Sequence, residues 1–119
     1  MTVQEIVSAL GLDVVAGSSG LNKEITGGYT SDLLSCVIAG ASERNIWVTL
    51  QAHPNIVAVA DLLELACIVV SEGMEPDDET LGRANESDMP ILISEESTFT
   101  LVGKLFQLGI RESEASGQA

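Results

Sequence analysis

The stretch Ile46-Trp47-Val48-Thr49-Leu50 decides the fold, because a short continuous apolar run of this kind is typical of a strand buried on both faces. Two similar runs follow at nearly even spacing, Cys67–Val70 (CIVV) and Ile91–Ile93 (ILI). The segments between them have helical periodicity. Buried strands joined by helical crossovers are characteristic of a parallel sheet covered on both sides. The pattern therefore predicts an α/β fold, a three-layer α/β/α domain with a mostly parallel sheet.

The rest of the chain extends this plan. Helices are predicted over 3–10, 32–41, 54–65, 77–87 and 98–108, further short strands over 12–16 and 21–26, and a loop over 27–31. A single domain is expected over residues 1–110, and the small polar residues 111–119 are expected to form a disordered tail.

The apolar residues of these elements predict the core. Leu33 and Ile38 are assigned to the buried face of the second helix, and the wide apolar face of 54–65 predicts contact with a second surface besides the sheet. Trp47 is expected in the core rather than as a stacking platform. Cys36 and Cys67 are expected to be small buried apolar residues rather than a disulfide.

The charge balance limits the partners. The 119-residue chain carries 18 acidic and 5 basic residues, a net charge of −13. This balance argues against nucleic acid and against anionic membrane surfaces, which both require clustered Lys and Arg. Solubility is one explanation of the charge, and a basic partner protein is the other. The first residues lack a signal-peptide pattern and no apolar run reaches about 20 residues, so we expect a cytoplasmic location.

Polar residues collect where the apolar runs end. In an open α/β sheet the carboxyl ends of the strands share one edge, where ligands usually bind. A second polar group surrounds a glycine pair that precedes a predicted helix, where backbone amides can hold a small anion. The predicted ligand-binding residues are Gly27, Gly28, Ser31, Asp32, Thr49, His53, Asn55, Ser71, Ser97 and Thr98.

Each of these assignments has a structural alternative. Ser31 or Asp32 is also a good N-cap, His53 with Asn55 can cap the helix that follows, and Ser97 or Thr98 can cap the last helix. The adjacent Glu95 and Glu96 have the composition of an acid/base pair or a divalent-cation site, or else are solvated.

The only histidine, His53, is the one conventional candidate for a general base. It could serve a small hydrolase together with Asp32 or Glu95. A single histidine does not make a metal site, and no second His or Cys stands at the required spacing. We therefore predict no metal, no cofactor and no catalytic residue.

Three stretches of the sequence carry a family resemblance. They are Gly27–Ser35 (GGYTSDLLS), Ile46–Ala60 (IWVTLQAHPNIVAVA), and Met89–Leu92 followed by Ser97–Phe99. Together they resemble stand-alone members of the DRTGG domain family, which is similar to the N-terminal domain of HPr kinase/phosphorylase. The resemblance covers roughly residues 1–110. It implies a regulatory or dimerising α/β/α module, of the kind found beside CBS domains in a pyrophosphatase or in phosphotransacetylase.

The chain departs from this family at one loop and lacks a kinase motif. Many members carry a Thr-Gly-Gly type of turn where this chain has Ser71-Glu72-Gly73-Met74, and Glu72 would repel a phosphate. Nucleotide-dependent phosphorylation in the HPr kinase class needs a P-loop, G-x-x-x-x-G-K-[ST]. Here Gly103-Lys104 is followed by Leu105 within an amphipathic helix, so kinase activity is not expected.

The leading hypothesis is therefore a non-enzymatic regulatory or interaction domain that forms a homodimer, with or without an unidentified protein partner. One alternative is a sensor of a nucleotide or anionic metabolite bound at the carboxyl edge of the strands. The other is a small hydrolase based on His53.

Overall fold

The computed structural model describes residues 1–113, which build one five-stranded sheet. The strands are β1 (Asp13–Ala16), β2 (Gly27–Thr30), β3 (Asn45–Thr49), β4 (Cys67–Val70) and β5 (Ile91–Ile93). Their spatial order is β1-β5-β4-β3-β2. Strands β2 to β5 pair in parallel, and β1 pairs antiparallel with β5 at one edge. The predicted mostly parallel sheet is confirmed.

Helices cover both faces of the sheet. They are α1 (Val3–Leu10), α2 (Leu34–Gly40), α3 (Asn55–Leu62), α4 (Asp78–Ser87) and α5 (Thr98–Gln107). Helices α2, α3 and α4 pack on one face, while α1 and α5 pack on the other. The predicted α/β/α layering is therefore confirmed. Within residues 1–113, no helix combines the length and the apolar character needed to cross a membrane.

Local capping signals explain where several helices begin and end. Thr2 and Glu5 form a reciprocal capping box at the start of α1, and Gly11 ends this helix in the left-handed conformation with φ 64°. Asp77 accepts a hydrogen bond from the backbone N–H of Thr80 at the start of α4. These contacts satisfy backbone donors that the first helical turn leaves free.

The core is centred on β3, whose five residues are all buried. Trp47 is fully buried and its indole N–H donates to the Ser31 carbonyl at 2.9 Å, so its assignment to the core is confirmed. Helix α3 packs between α2 and α4 as well as on the sheet. The wide apolar face of α3 is thus largely covered within the chain, although Leu62 at its end is 68% exposed.

Three residues assigned to the core are exposed instead, namely Leu33, Ile38 and Cys36. Helix α2 begins at Leu34 rather than at Asp32, so the helical periodicity does not apply to Leu33. Helix α2 also lies over the edge strand β2, where only a narrow stripe of the helix, centred on Val37, is buried.

The predicted strand over 21–26 is wrong. The backbone of this segment bonds the start of the chain: Leu21 and Lys23 accept hydrogen bonds from the first residues of α1, and the Ile25 N–H donates to Met1. The next strand, β2, lies instead within the predicted loop over 27–31.

The start of the predicted tail returns to the sheet. The Gly28 N–H donates to the Arg111 carbonyl at 2.9 Å, and the Asn45 side-chain amide donates to Ser113 Oγ at 2.8 Å. Gly27 permits this approach, because a Cβ there would lie 2.7 Å from the Arg111 carbonyl oxygen. Residues 114–119 lie outside the described part of the chain, and the boundary at residue 110 stays a prediction.

Candidate functional site

The loops that follow β2, β3, β4 and β5 meet at the carboxyl edge of the sheet, here called the strand-end edge. Most of the residues predicted to bind a ligand lie on these loops or beside them. They are Ser31, Asp32, Thr49, His53, Asn55, Ser71, Ser97 and Thr98.

Gly27 and Gly28 are placed elsewhere. They form the amino-terminal half of β2 and are not a loop before a helix, so the predicted anion site at this pair is wrong in its geometry. The residue that precedes α2 as N-cap is Leu33, which offers no side-chain cap. Ser31 Oγ accepts the Leu33 N–H at 3.2 Å, which stabilises the loop rather than the helix terminus.

The first cluster of the strand-end edge joins the loops after β2 and β3. One carboxylate oxygen of Asp32 accepts hydrogen bonds from Thr49 Oγ1 and from the Leu50 N–H, both at 2.8 Å. The Gln51 side-chain amide donates to the Asp32 carbonyl at 3.1 Å. Thr49 is fully buried, so this carboxylate satisfies a hydroxyl that has no access to water. Asp32 therefore ties two loops together.

The second cluster joins the loops after β4 and β5. Ser71 Oγ and Thr98 Oγ1 lie 2.6 Å apart, and Ser71 Oγ lies 3.4 Å from the Thr49 carbonyl oxygen. The Glu72 carboxylate accepts the backbone N–H of Thr98 at 2.7 Å. Thr98 is the first residue of α5, so Glu72 places a negative charge at the position where a helix N-terminus holds an anion.

The two adjacent glutamates of the last loop do not act as a pair. Glu96 forms an ion pair with Lys104 of α5 at 2.5 Å, whereas the Glu95 carboxylate lies beside Gly73 on the neighbouring loop. Ser97 caps α5 by accepting the Thr100 N–H at 3.2 Å. This agrees with the capping alternative for Ser97.

His53 has a structural contact at the start of α3. Its Nδ1 accepts the Asn55 N–H at 3.2 Å, which fits the capping alternative for this pair. The pKa of Asp77 lies below its ordinary value, chiefly because the Thr80 N–H and hydroxyl donate to the carboxylate, with His53 as a smaller cause. Within residues 1–113, no hydrogen bond joins His53 to Asp32 or Glu95.

The polar groups of the strand-end edge are thus engaged with one another. Among the described residues, every buried polar side-chain atom has a hydrogen-bond partner, and no group of three or more His, Cys, Asp or Glu side chains is placed to hold a metal ion. Hydrogen bonds through Asp32, Ser71 and Glu72 therefore join the loops of this edge to one another.

Sequence reasoning missed the apolar residues of this edge. Leu33, Leu50, Met74 and Phe99 are all exposed, and each belongs to a different strand-to-helix connection or to the helical turn that follows it. Leu33 and Leu50 stand at the ends of apolar runs whose other residues belong to α2 and β3. No pattern in the sequence distinguishes the exposed end of such a run from its buried part.

A groove of about 360 Å³ lies away from this edge, on the α5 side of the sheet. Gly28, Ile46 and Val48 form its floor, while Val102 and Phe106 of α5 form one wall. Arg111 and Glu112 lie at its rim. A Cβ at Gly28 would lie 3.1 Å from Ile110 Cγ2, so the glycine lets the Ile110 side chain pack closely against β2 at the floor of the groove.

Comparison with known families identifies the domain. Residues 5–108 match the family model of the DRTGG domain. The chain belongs to the DRTGG domain family. The match begins within α1 and ends just after α5, so it includes all five strands. The resemblance carried by the three sequence stretches is therefore confirmed.

A solved structure shares the fold of this DRTGG domain. It contains the CBS and DRTGG domains of the regulatory region of Clostridium perfringens pyrophosphatase, complexed with the activator diadenosine tetraphosphate. The two superpose with a TM-score of 0.66 at 16% sequence identity, over 86% of this chain. This chain spans 44% of the length of that structure. At this identity the likeness establishes the fold.

Proposed function

We propose that this DRTGG domain is a non-catalytic regulatory module that works by binding other protein surfaces, first of all a second copy of itself. The observation that carries this proposal is the pairing of the polar groups at the strand-end edge. Asp32 is bonded to Thr49 and Leu50, and Glu72 is bonded to Thr98. Carboxylates and hydroxyls that hold one another stabilise loops and are poorly placed to activate a substrate.

Two further observations support the same proposal. The matched structure comes from the regulatory region of an enzyme, and the DRTGG domain is part of that region. Large apolar side chains remain exposed at the strand-end edge and on α5, as is common where proteins bind one another. The two free cysteines, Cys36 and Cys67, suit a reducing compartment, and we place the domain in the cytoplasm.

The oligomeric state tests this proposal directly. We expect sedimentation equilibrium at micromolar concentration to give twice the 12.5 kDa mass of the chain. A mass of one chain at all concentrations would contradict the homodimer. A steady turnover of any phosphoester or acyl substrate that the His53→Ala variant abolishes would contradict the non-catalytic assignment and favour the hydrolase.

A second candidate function is a nucleotide sensor, because the matched regulatory region was solved with diadenosine tetraphosphate bound. The strand-end edge would be the binding site, through Thr49, Ser71 and Thr98. The net charge of −13 and the Glu72 carboxylate oppose a polyphosphate there unless Mg²⁺ accompanies it.

A thermal-shift panel separates the two functions. It compares diadenosine tetraphosphate, adenine and guanine nucleotides and sugar phosphates, each with and without Mg²⁺. A ligand at 100 times its dissociation constant stabilises the native state by about 2.7 kcal/mol, which raises the unfolding midpoint clearly. A rise that the Thr98→Val variant abolishes would support the sensor, while unchanged midpoints throughout the panel would support the interaction module.

A further inference from the structure

Helix α5 has two apolar faces, and only one of them meets the core. Leu101 and Leu105 are buried against the sheet. Phe99 and Phe106 are 90% and 54% exposed, and they are the only two phenylalanines in the sequence. Residues seven apart lie on the same side of a helix, so the two rings share the side of α5 that points away from the core.

The helix is open between these two rings. Gly103 lies on the same side, and a Cβ there would meet nothing within 4 Å. Glycine is a poor residue for the interior of a helix, and no neighbouring atom of the described chain requires it here. Because Gly103 has no side chain, a second helix can approach α5 closely between Phe99 and Phe106.

The groove described above adjoins this face, and Phe106 belongs to both. The Arg111 guanidinium stacks on the Phe106 ring at 3.6 Å from its centroid and donates to the Phe106 carbonyl oxygen. These contacts fix the position of the Phe106 ring, which forms part of the groove wall. The face of α5 therefore offers a projecting aromatic residue, Phe99, in its first turn, and a recess beside Phe106 in its last turn.

Charge selects the partner that fits this face. No acidic residue occurs from Ser97 to Arg111, although the whole chain carries a charge of −13. Two copies of so acidic a chain repel each other over most surfaces, and the repulsion is least where carboxylates are missing. A basic partner would instead be attracted to acid-rich surfaces such as the start of α4, Asp77-Asp78-Glu79.

We propose that the exposed face of α5 binds the same face of a second copy about a twofold axis near Gly103. This inference rests on the homodimer of the proposed function and names its interface. Phe99 and Phe106 are nearly equidistant in sequence from Gly103, so antiparallel α5 helices place Phe99 of each protomer beside the groove wall formed by Phe106 of its partner. The interface brings together the apolar side chains of α5. The Glu96 carboxylate beside this helix is paired with Lys104, and the acid-rich start of α4 lies on the opposite face of the sheet.

Two matched glycine variants test the interface without disturbing the fold. Gly103 of α5 and Gly82 of α4 are both helical, exposed and open to solvent where a Cβ would stand. Glutamine favours helix, so Gly103→Gln and Gly82→Gln should both fold at least as stably as the natural chain. We expect Gly103→Gln to raise the dimer dissociation constant at least tenfold in sedimentation equilibrium, and Gly82→Gln to leave it unchanged.

A second pair of variants tests the aromatic residue. Phe99→Ala should weaken the dimer. Leu62 is also an exposed apolar residue but lies on the opposite face of the sheet, so Leu62→Ala should leave the dimer intact. Raising the salt concentration should tighten the dimer, because salt screens the repulsion between two acidic chains.

The outcomes distinguish this interface from the homodimer itself. A natural chain that stays monomeric overturns both the homodimer and the interface. A natural dimer that Gly103→Gln and Phe99→Ala leave intact overturns the interface alone. A dimer weakened by Leu62→Ala assigns the contact to the α2 and α3 side and likewise overturns the α5 interface.

Discussion

The Glu72 carboxylate accepts a hydrogen bond from the backbone N–H of Thr98 at 2.7 Å, so the loop after β4 caps the helix after β5. Glu72 itself has a left-handed backbone, with φ 64°, which is costly for a residue with a side chain. The strained loop thus delivers a charge to the N-terminus of α5. In α/β proteins this position often receives the anion of a ligand, and here the chain fills it with its own carboxylate.

Glu72→Gln should destabilise the domain by about 0.5–1 kcal/mol, because a neutral amide interacts more weakly with the N-terminal dipole of α5. Urea denaturation measures the change in the free energy of unfolding. Glu75→Gln is the matched control, since it removes one charge from the same loop, and it should have little effect. Equal losses in both variants would mean that general charge, and not the Glu72–Thr98 contact, sets the stability.

The Asp32–Thr49 contact should show energetic coupling. Thr49→Val keeps the shape of a buried side chain but removes its hydroxyl, and it should cost about 1 kcal/mol of stability. Asp32→Ala should cost about 1–3 kcal/mol, because the Thr49 hydroxyl and the Leu50 N–H lose their acceptor. In a double-mutant cycle the two changes should couple by about 1 kcal/mol. Strictly additive losses would show that the Asp32–Thr49 contact contributes nothing. Asp61→Ala, on the exposed side of α3, is the control, and it should not couple to Thr49→Val.

The two cysteines should differ in reactivity. Burial raises the pKa of the Cys67 thiol to about 12, whereas Cys36 is exposed on α2. At pH 8 a chromogenic disulfide reagent should therefore modify one thiol in the native protein and two in denaturant. Cys36→Ser should abolish the native reaction. Rapid modification of Cys67 in the folded Cys36→Ser variant would contradict the burial of β4.

Asp77 should contribute to the acid sensitivity of the domain. Hydrogen bonds from Thr80 lower the pKa of Asp77 in the folded state. Such a group stabilises the fold above its unfolded pKa of about 3.9, and this contribution is lost as the pH falls through the lower folded pKa. Asp77→Asn keeps a capping side chain without the charge, so its urea midpoint should fall less between pH 5 and pH 2 than that of the natural chain. Parallel curves for the two proteins would exclude this role.

Much of the architecture follows from local patterns. The apolar runs of β3, β4 and β5 are short, continuous and separated by helical segments, and this combination has few solutions other than a covered parallel sheet. The capping residues Thr2 and Ser97 act on backbone groups three residues away, so the start of α1 and of α5 can be predicted from neighbours in sequence.

The errors occur where distant contacts outweigh these local preferences. The segment over 21–26 has the composition of a strand but bonds the beginning of α1, and the Gly27-Gly28 pair has the composition of a loop but pairs with β3. For the candidate site, sequence reasoning placed most polar residues on one edge, because the carboxyl ends of parallel strands share an edge. It did not predict that Asp32 would bond Thr49 or that Glu72 would cap Thr98, since each contact joins loops far apart in the chain.

The amino-acid sequence is sufficient for the fold class, the acidic character and the family of this protein, because hydrophobic periodicity, charge and motif are properties of neighbouring residues. Which apolar residues stay exposed depends on how the layers pack. Leu101 and Phe106 lie on one short helix and have similar hydrophobicity, yet the sheet covers the first and leaves the second at the surface. Burial is decided by what stands opposite a side chain, and that is set only when distant segments of the chain come together.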